Sequence, residues 1–166
     1  MNKYLRLLVL IALAINPFLS PRPTTAEPLA EISATQRCAV CGMFVAKYQD
    51  WLAQIRLADG SIQVFDGCKD MLAYVFQPAA YGGSTANTIK EIWVKDYYAL
   101  DWIDGRTAWY VVGSDIHGPM GHELLPFASQ AAAEAFLKDH HGREIIPFAG
   151  LTEAVVESLR SGQRMK

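Results

Sequence analysis

The alternation of apolar and polar residues along the chain predicts short strands and short helices that follow one another. Alternating segments on either side of Asp59-Gly60 predict a β-hairpin, because Asp-Gly is a preferred two-residue turn. Apolar residues three and four positions apart then predict a helix over 68–76, with Asp66 as its N-cap. The same reading predicts, further along the chain, strands at 91–97, 108–113, 122–127 and 144–148, a turn at 101–105, a helix at 129–140 capped by Ser129, and a helix from Thr152 to about 160.

The order of these elements repeats along the chain. Strand, connection, strand, helix and strand occur first over about 38–97 and again over about 102–148, and a C-terminal helix follows at about 152–161. Phe65 and Phe127 each stand just before the helix of their unit. The predicted fold class is therefore α+β, built from two tandem ββαβ modules, with 27–37 as a linker before them.

The N-terminus has the pattern of an export signal. A basic start is followed by an apolar run at 7–15 that is too short to span a bilayer comfortably. Small residues up to Ala26 predict a signal peptide over 1–26 that is cleaved after Ala26. Because prolines follow the apolar run, the alternative that this segment stays uncleaved as an anchor remains open. No cysteine stands near the end of the apolar run, so a lipid attachment site is not expected. We therefore expect a periplasmic or otherwise exported protein that is not an evident lipoprotein.

The charge balance argues against nucleic acid as a partner. The chain carries 15 basic and 17 acidic residues, for a formal net charge of −2, and has no basic run. Removal of 1–26 would make the remaining 27–166 more acidic, because that segment contains basic residues and no acid. In an exported space disulfides are permitted, but three cysteines cannot all pair within one chain.

Two of the three cysteines stand close together in a sulfur-rich motif. Cys38 and Cys41 form a Cys-x-x-Cys pair, and Met43 follows two residues later. Two thiolates with a thioether favour a soft ion such as Cu(I), and Met is a poor zinc ligand. The spacing alone leaves a structural disulfide or a redox pair open. The third cysteine, Cys68, begins the predicted helix, where it is either a third sulfur ligand or a buried residue.

A second group of candidate ligands stands in the loop at 114–123. Met120 lies between Gly-Pro and Gly, where it cannot fill the core of a regular element, and His117 and His122 flank it. Pooled with the first motif, these residues offer two thiolates, two thioethers and two imidazoles. This inventory suits Cu(I), whereas zinc bound by Cys and His would leave both methionines unused.

Three stretches of the chain resemble the NosL family of exported copper chaperones for nitrous oxide reductase. They are Cys41-Gly42-Met43, the pair Trp102-Ile103-Asp104 and Tyr110-Val111-Val112-Gly113-Ser114-Asp115, and Gly118-Pro119-Met120-Gly121 with Glu123 and Pro126-Phe127. The resemblance implies two similar ββαβ modules, as in organomercurial lyase. It also implies Cu(I) held by Cys41 and Met120 with a third ligand, and no catalysis. Family members commonly carry a lipid-anchoring cysteine that this chain lacks, and Cys38 is additional to the simplest family pattern.

The resulting expectation is an exported Cu(I) chaperone rather than an enzyme. It would receive Cu(I) from a donor at the membrane and deliver it to a multicopper enzyme, with nitrous oxide reductase as the expected recipient. One alternative is a thiol–disulfide oxidoreductase that uses Cys38 and Cys41. Another is an organomercurial-lyase-like enzyme that uses Cys41, Cys68 and Asp66, which rests on shared fold alone.

Overall fold

The structure is a computed structural model that describes residues 27–29, 31–83 and 89–162; the predicted signal peptide lies outside these ranges. Helices and antiparallel strands alternate along the chain, as the sequence pattern predicts. The strands are β1 (Ala53–Leu57), β2 (Ile62–Phe65), β3 (Ile89–Lys95), β4 (Trp102–Asp104), β5 (Trp109–Val112), β6 (His117–Gly118), β7 (Gly121–His122), β8 (Leu125–Phe127) and β9 (Glu144–Pro147), and the α-helices are α1 (Cys68–Phe76), α2 (Gln130–Asp139) and α3 (Glu153–Arg160).

The first sheet has the strand order β2-β1-β3-β4. Its β1–β2 hairpin turns at the predicted Asp59-Gly60, and Gly60 has a φ of +86°, which glycine adopts without the steric cost of a side chain. The predicted turn at 101–105 is wrong, because Trp102–Asp104 forms β4 and pairs with β3. A strand of three residues is too short to show an alternating pattern, so only its pairing with β3 identifies it.

The second sheet has the order β8-β5-β9, and a two-stranded hairpin of β6 and β7 lies between β5 and β8 in the chain. The predicted single strand at 122–127 is divided in the structure, since β7 ends at His122 and β8 begins at Leu125. Gly121 has a φ of +86° directly after the turn at Pro119-Met120. This left-handed residue lets the chain reverse within six residues.

The helix starts follow local capping rules in two cases of three. The side-chain oxygens of Ser129 and Thr152 accept from backbone N–H groups in the first turns of α2 and α3, as predicted. The predicted cap Asp66 is wrong, because Gly67 is the N-cap of α1 and no side chain caps that helix. The carboxylate of Asp66 bonds elsewhere, to a cysteine thiol.

Most residues of α1 are buried in the main apolar core. Its residues Met71 and Leu72 are fully buried, and the helix packs against both β1 and α3. Cys68, at its first position, is 3% exposed. A smaller apolar cluster joins the second sheet to α2 through Val111, Leu125, Phe127, Ala133 and Phe136. Among the described residues, no helix is long and apolar enough to cross a membrane.

Candidate metal centre

The two cysteines of the sulfur-rich motif lie in a tight backbone turn. The N–H of Cys38 donates to the carbonyl of Met43 at 2.8 Å, and the N–H of Gly42 donates back to the carbonyl of Cys38 at 3.0 Å. Gly42 has a φ of +77°, a conformation that favours glycine. The turn is attached to the first sheet, since the N–H of Ala39 donates to the carbonyl of Val64 at 3.0 Å. Local hydrogen bonds thus fix both cysteines beside the end of β2.

Two carboxylates converge on these thiols from the start of α1. Asp66 follows the end of β2, and Asp70 lies in the first turn of the helix. The Sγ of Cys38 lies 3.5 Å from Oδ2 of Asp70, and the Sγ of Cys41 lies 3.4 Å from Oδ1 of Asp66. One ligand atom from each of the four residues lies within 4.8 Å of the other three. This four-residue group is hereafter the Cys/Asp cluster.

Burial of the Cys/Asp cluster is uneven. Cys38, Asp66 and Asp70 are 3%, 1% and 5% exposed, whereas Cys41 is half-buried. An ion that approaches from solvent therefore meets the thiol of Cys41 before that of Cys38. A buried cysteine next to an accessible one suits a site that must both hold an ion and release it.

The thiols of the cluster are protonated near neutral pH. Burial raises the pKa of Cys41 to about 11, and the nearby Asp66 carboxylate acts in the same direction. Burial raises the pKa of the Cys38 thiol still further. It also raises the pKa of the Asp70 carboxyl. In the metal-free protein each thiol therefore keeps its proton and donates a hydrogen bond to a carboxyl oxygen, and a metal that binds the sulfurs must displace those protons.

The donor set of the cluster determines which metals it can hold. Two thiolates are soft ligands that select Cu(I) or zinc, whereas carboxylates alone suit harder cations. The cluster is dominated by sulfur at its accessible side, since Cys41 is its most exposed member. A soft ion bound through the two sulfurs is the occupant that this chemistry favours.

A buried polar connection attaches the second motif to α1. The carboxyl group of Glu123 is 4% exposed and accepts from the backbone N–H groups of Lys69 at 2.6 Å and Leu124 at 2.9 Å. The ammonium of Lys69 donates to the carbonyls of Met120 at 2.8 Å and His122 at 2.7 Å. These bonds hold the β6–β7 hairpin beside the helix turn that carries Asp70.

Glycine at position 67 makes room for this connection. A Cβ at Gly67 would lie 2.3 Å from Oε2 of Glu123, closer than two such atoms can approach. Burial raises the pKa of Glu123 to about 8, although the hydrogen bonds that its carboxyl group accepts from two backbone N–H groups partly offset this rise. The missing side chain of Gly67 therefore leaves the space that the carboxyl group of Glu123 occupies at the start of α1.

The predicted ligands are distributed over two parts of the structure. Cys38 and Cys41 are in the Cys/Asp cluster, and the backbone of Met43 closes their turn. Met120 lies at the tip of the β6–β7 hairpin and is 48% exposed. His117 and His122 face each other across that hairpin and do not belong to the cluster. Cys68 is buried and is not a member of the cluster.

From the sequence, Asp66 is predicted as a helix cap and, in the organomercurial-lyase-like alternative, as a partner of Cys41, but Asp70 is not among the predicted site residues. Asp70 stands in the first turn of the predicted helix, two residues after Cys68, but no local pattern in the sequence directs its side chain to the thiols. The three cysteines are free thiols in the structure, so the disulfide alternative for Cys38 and Cys41 is not the observed state.

Comparisons with known proteins show the family to which the chain is similar. The NosL family model matches residues 28–156. The copper-binding lipoprotein NosL of Stutzerimonas stutzeri is 28% identical over an alignment of 145 residues, which covers 82% of this chain and 72% of that protein.

Solved structures are similar as well. The crystal structure of the copper chaperone NosL from Shewanella denitrificans superposes with a TM-score of 0.67 at 24% identity, covering 78% of this chain and 98% of that one. The solution structure of apo-NosL from Achromobacter cycloclastes is 33% identical over 63% of this chain and 87% of that one, with a TM-score of 0.48. The Shewanella structure shares the fold described above.

Proposed function

This chain belongs to the NosL family, and from this premise we propose that it is an exported Cu(I) chaperone that delivers copper for the assembly of a multicopper enzyme. The observation that carries the proposal is the Cys/Asp cluster, in which two thiols lie side by side and one of them, Cys41, is half-exposed. Relatives named for copper binding support the choice of metal. The function proposed is binding and transfer, without catalysis.

The proposed Cu(I) ligands are the thiolates of Cys41 and Cys38 and the thioether of Met120, with Met43 as a further candidate. Sulfur ligands stabilise the reduced ion over Cu(II). Lys69 supports the assignment of Met120, because its ammonium holds the Met120 carbonyl beside the helix that carries Asp70. An exposed thioether at the tip of a hairpin is also placed to meet an incoming ion first.

Asp66 and Asp70 are proposed to orient the thiols in the metal-free state. Each carboxylate accepts a hydrogen bond from one thiol, so both Sγ atoms point toward the same place before copper arrives. Copper replaces the two thiol protons, and the resulting thiolates then stand beside acidic groups. Their mutual repulsion weakens the loaded state and favours transfer, one sulfur at a time, to a recipient with a better ligand set.

The two alternative functions are less well supported. A thiol–disulfide oxidoreductase needs a nucleophilic cysteine with a lowered pKa, but burial raises the pKa of Cys41 to about 11. No helix begins at Cys38 or Cys41 to stabilise a thiolate. An organomercurial-lyase-like site would need Cys68 close to Cys41, and Cys68 is outside the Cys/Asp cluster.

The place of action and the partners complete the proposal. We propose that residues 1–26 direct export to the periplasm, that the copper donor is at the membrane, and that nitrous oxide reductase is the recipient. The name of the Stutzerimonas relative, a lipoprotein, is consistent with a family of exported proteins. N-terminal sequencing of the protein from a periplasmic fraction tests export, and retention of residues 1–26 in that fraction would contradict cleavage after Ala26.

We also propose that the two sheets arose from a duplicated ββαβ module. β1, β2, α1 and β3 follow one another in the chain, and so do β5, β8, α2 and β9 apart from the inserted β6–β7 hairpin. In each sheet the first strand of the set lies between the second and the last, in the orders β2-β1-β3 and β8-β5-β9. Superposition of the two halves tests this origin.

The first test of function is a Cu(I) titration of the reduced protein against a chromophoric chelator. Wild type is expected to bind about one Cu(I) per chain, and Cys41→Ser and Met120→Ala are each expected to weaken binding by about tenfold or more, because each removes a ligand. Met71→Leu is the matched control for the methionine, since Met71 is fully buried in α1. Binding that is indifferent to both Cys41 and Met120 would overturn the proposed site.

The second test is transfer. The copper-loaded chain is mixed with metal-free nitrous oxide reductase, and the appearance of the copper absorption bands of the enzyme is followed. Delivery faster than from the same concentration of copper in chelator supports a chaperone. Copper that stays on the chain would instead indicate a storage protein.

A further inference from the structure

The histidines of the β6–β7 hairpin form a pair of their own. His117 and His122 are directly opposite each other in the antiparallel register. Residues in this relation project their side chains from the same face of the hairpin. Their ring centroids are 4.7 Å apart, and the ring planes are inclined by 37°. The two imidazoles are therefore close enough for one ion to bind a nitrogen of each.

The hairpin that carries the pair is firmly held. The Lys69 ammonium donates to the carbonyls of Met120 and His122, at its tip and on its second strand. On its first strand, a Cβ at Gly118 would lie 3.2 Å from Trp51 and 3.1 Å from Glu123, so the backbone is packed closely against both. A rigid backbone lowers the entropy that a ligand pair loses when it closes on an ion.

The chemistry of this pair differs from that of the Cys/Asp cluster. Imidazole nitrogen suits divalent transition metals, and among these Cu(II) binds nitrogen sites most tightly. His117 is exposed and His122 is half-buried, so solvent reaches the pair directly. Sulfur and carboxylate groups of the cluster are not needed for such a site.

We propose that His117 and His122 form a separate site for a divalent transition metal ion, with Cu(II) as the preferred ion. The chain then presents two donor sets of different softness, thiols for Cu(I) and imidazoles for Cu(II). This inference does not use the thiols of the Cys/Asp cluster, to which neither histidine belongs, although the hairpin also carries Met120, the thioether proposed for Cu(I).

The test is Cu(II) titration followed by electron paramagnetic resonance, in the full-length Cys38→Ser/Cys41→Ser variant. Removal of these thiols prevents them from reducing Cu(II) and separates this result from any Cu(I) binding. We expect one Cu(II) per chain with nitrogen hyperfine splitting from two imidazoles. His117→Ala and His122→Ala should each weaken Cu(II) binding by about tenfold to 100-fold and remove the two-nitrogen signature.

The other two histidines of the chain provide matched controls. His140→Ala and His141→Ala remove imidazoles at the end of α2 and should leave Cu(II) affinity and spectrum unchanged. A spectrum without nitrogen splitting, or one that survives His117→Ala, would overturn the proposal and leave the two rings in simple contact. If circular dichroism shows that the serine pair is unfolded, the Cys38→Ala/Cys41→Ala variant takes its place in the same titration.

Discussion

The ammonium of Lys69 donates a 2.8 Å hydrogen bond to the main-chain carbonyl of Met120, 51 residues further along the chain. This bond joins the helix that supplies Asp70 to the hairpin that carries the exposed methionine. Lys69 is only 3% exposed, so its charge is satisfied by these carbonyls rather than by water. The two sequence motifs are therefore parts of one connected region, and the predictions below test that connection.

Replacement of Lys69 by methionine should destabilise the protein and weaken Cu(I) binding. Lys69→Met keeps the length of the side chain but removes the donor that the partly buried carbonyls of Met120 and His122 use, at an expected cost of about 1–3 kcal/mol in the free energy of unfolding. Urea denaturation and the chelator competition measure the two effects. Lys138→Met, on the exposed face of α2, is the control and should change stability by less than about 0.5 kcal/mol.

A methyl group at position 67 should lower the stability of the protein, because it would overlap the side chain of Glu123. In Gly67→Ala the new Cβ would lie 2.3 Å from Oε2 of Glu123, and relief of this overlap is expected to cost about 1–3 kcal/mol of stability. The φ of Gly67 is −177°, an extended value, so backbone strain does not contribute. Gly67→Ala introduced into the Glu123→Ala variant should lower the free energy of unfolding much less than it does in the wild type. An equal loss of stability in both backgrounds would contradict the steric explanation.

Glu123 should make stability fall as pH rises. Burial raises the pKa of its carboxyl from 4.5 to about 8, so the folded state holds a proton that the unfolded state has released between these values. The stabilising effect of Glu123 is complete below pH 4.5 and is lost as the pH rises through about 8. Denaturation of wild type and Glu123→Gln across this range should show a smaller decline in the glutamine variant, whose amide does not titrate. Parallel curves would contradict the assignment.

Cu(I) affinity should rise with pH, because binding displaces thiol protons. Burial raises the pKa of Cys41 to about 11 and that of Cys38 further, so both thiols carry protons throughout the neutral range. The apparent affinity should increase about tenfold per pH unit for each proton released. Competition titrations at several pH values measure the slope. Cys38→Ser should lower the slope by one proton, whereas a flat profile in wild type would mean that the thiols are not the ligands.

Local patterns in the sequence were sufficient for most of the elements. The Asp59-Gly60 hairpin, the helix over 68–76 and the caps at Ser129 and Thr152 depend on interactions between residues close in the chain, and the structure has all of them. The turn predicted at 101–105 is a strand, because its conformation depends on pairing with β3 rather than on its own residues.

For the candidate metal centre, the sequence by itself determined which donor groups the chain offers, and the tertiary structure decided their geometry. Residue types and spacing singled out Cys38, Cys41 and Met120, since sulfur in a glycine-containing turn has a recognisable pattern. Only folding brought Asp66 and Asp70 to the thiols and buried Glu123 beneath the hairpin that carries the histidines. Such contacts join residues 25 to 54 positions apart, and packing of the whole chain, rather than any local preference, brings them together.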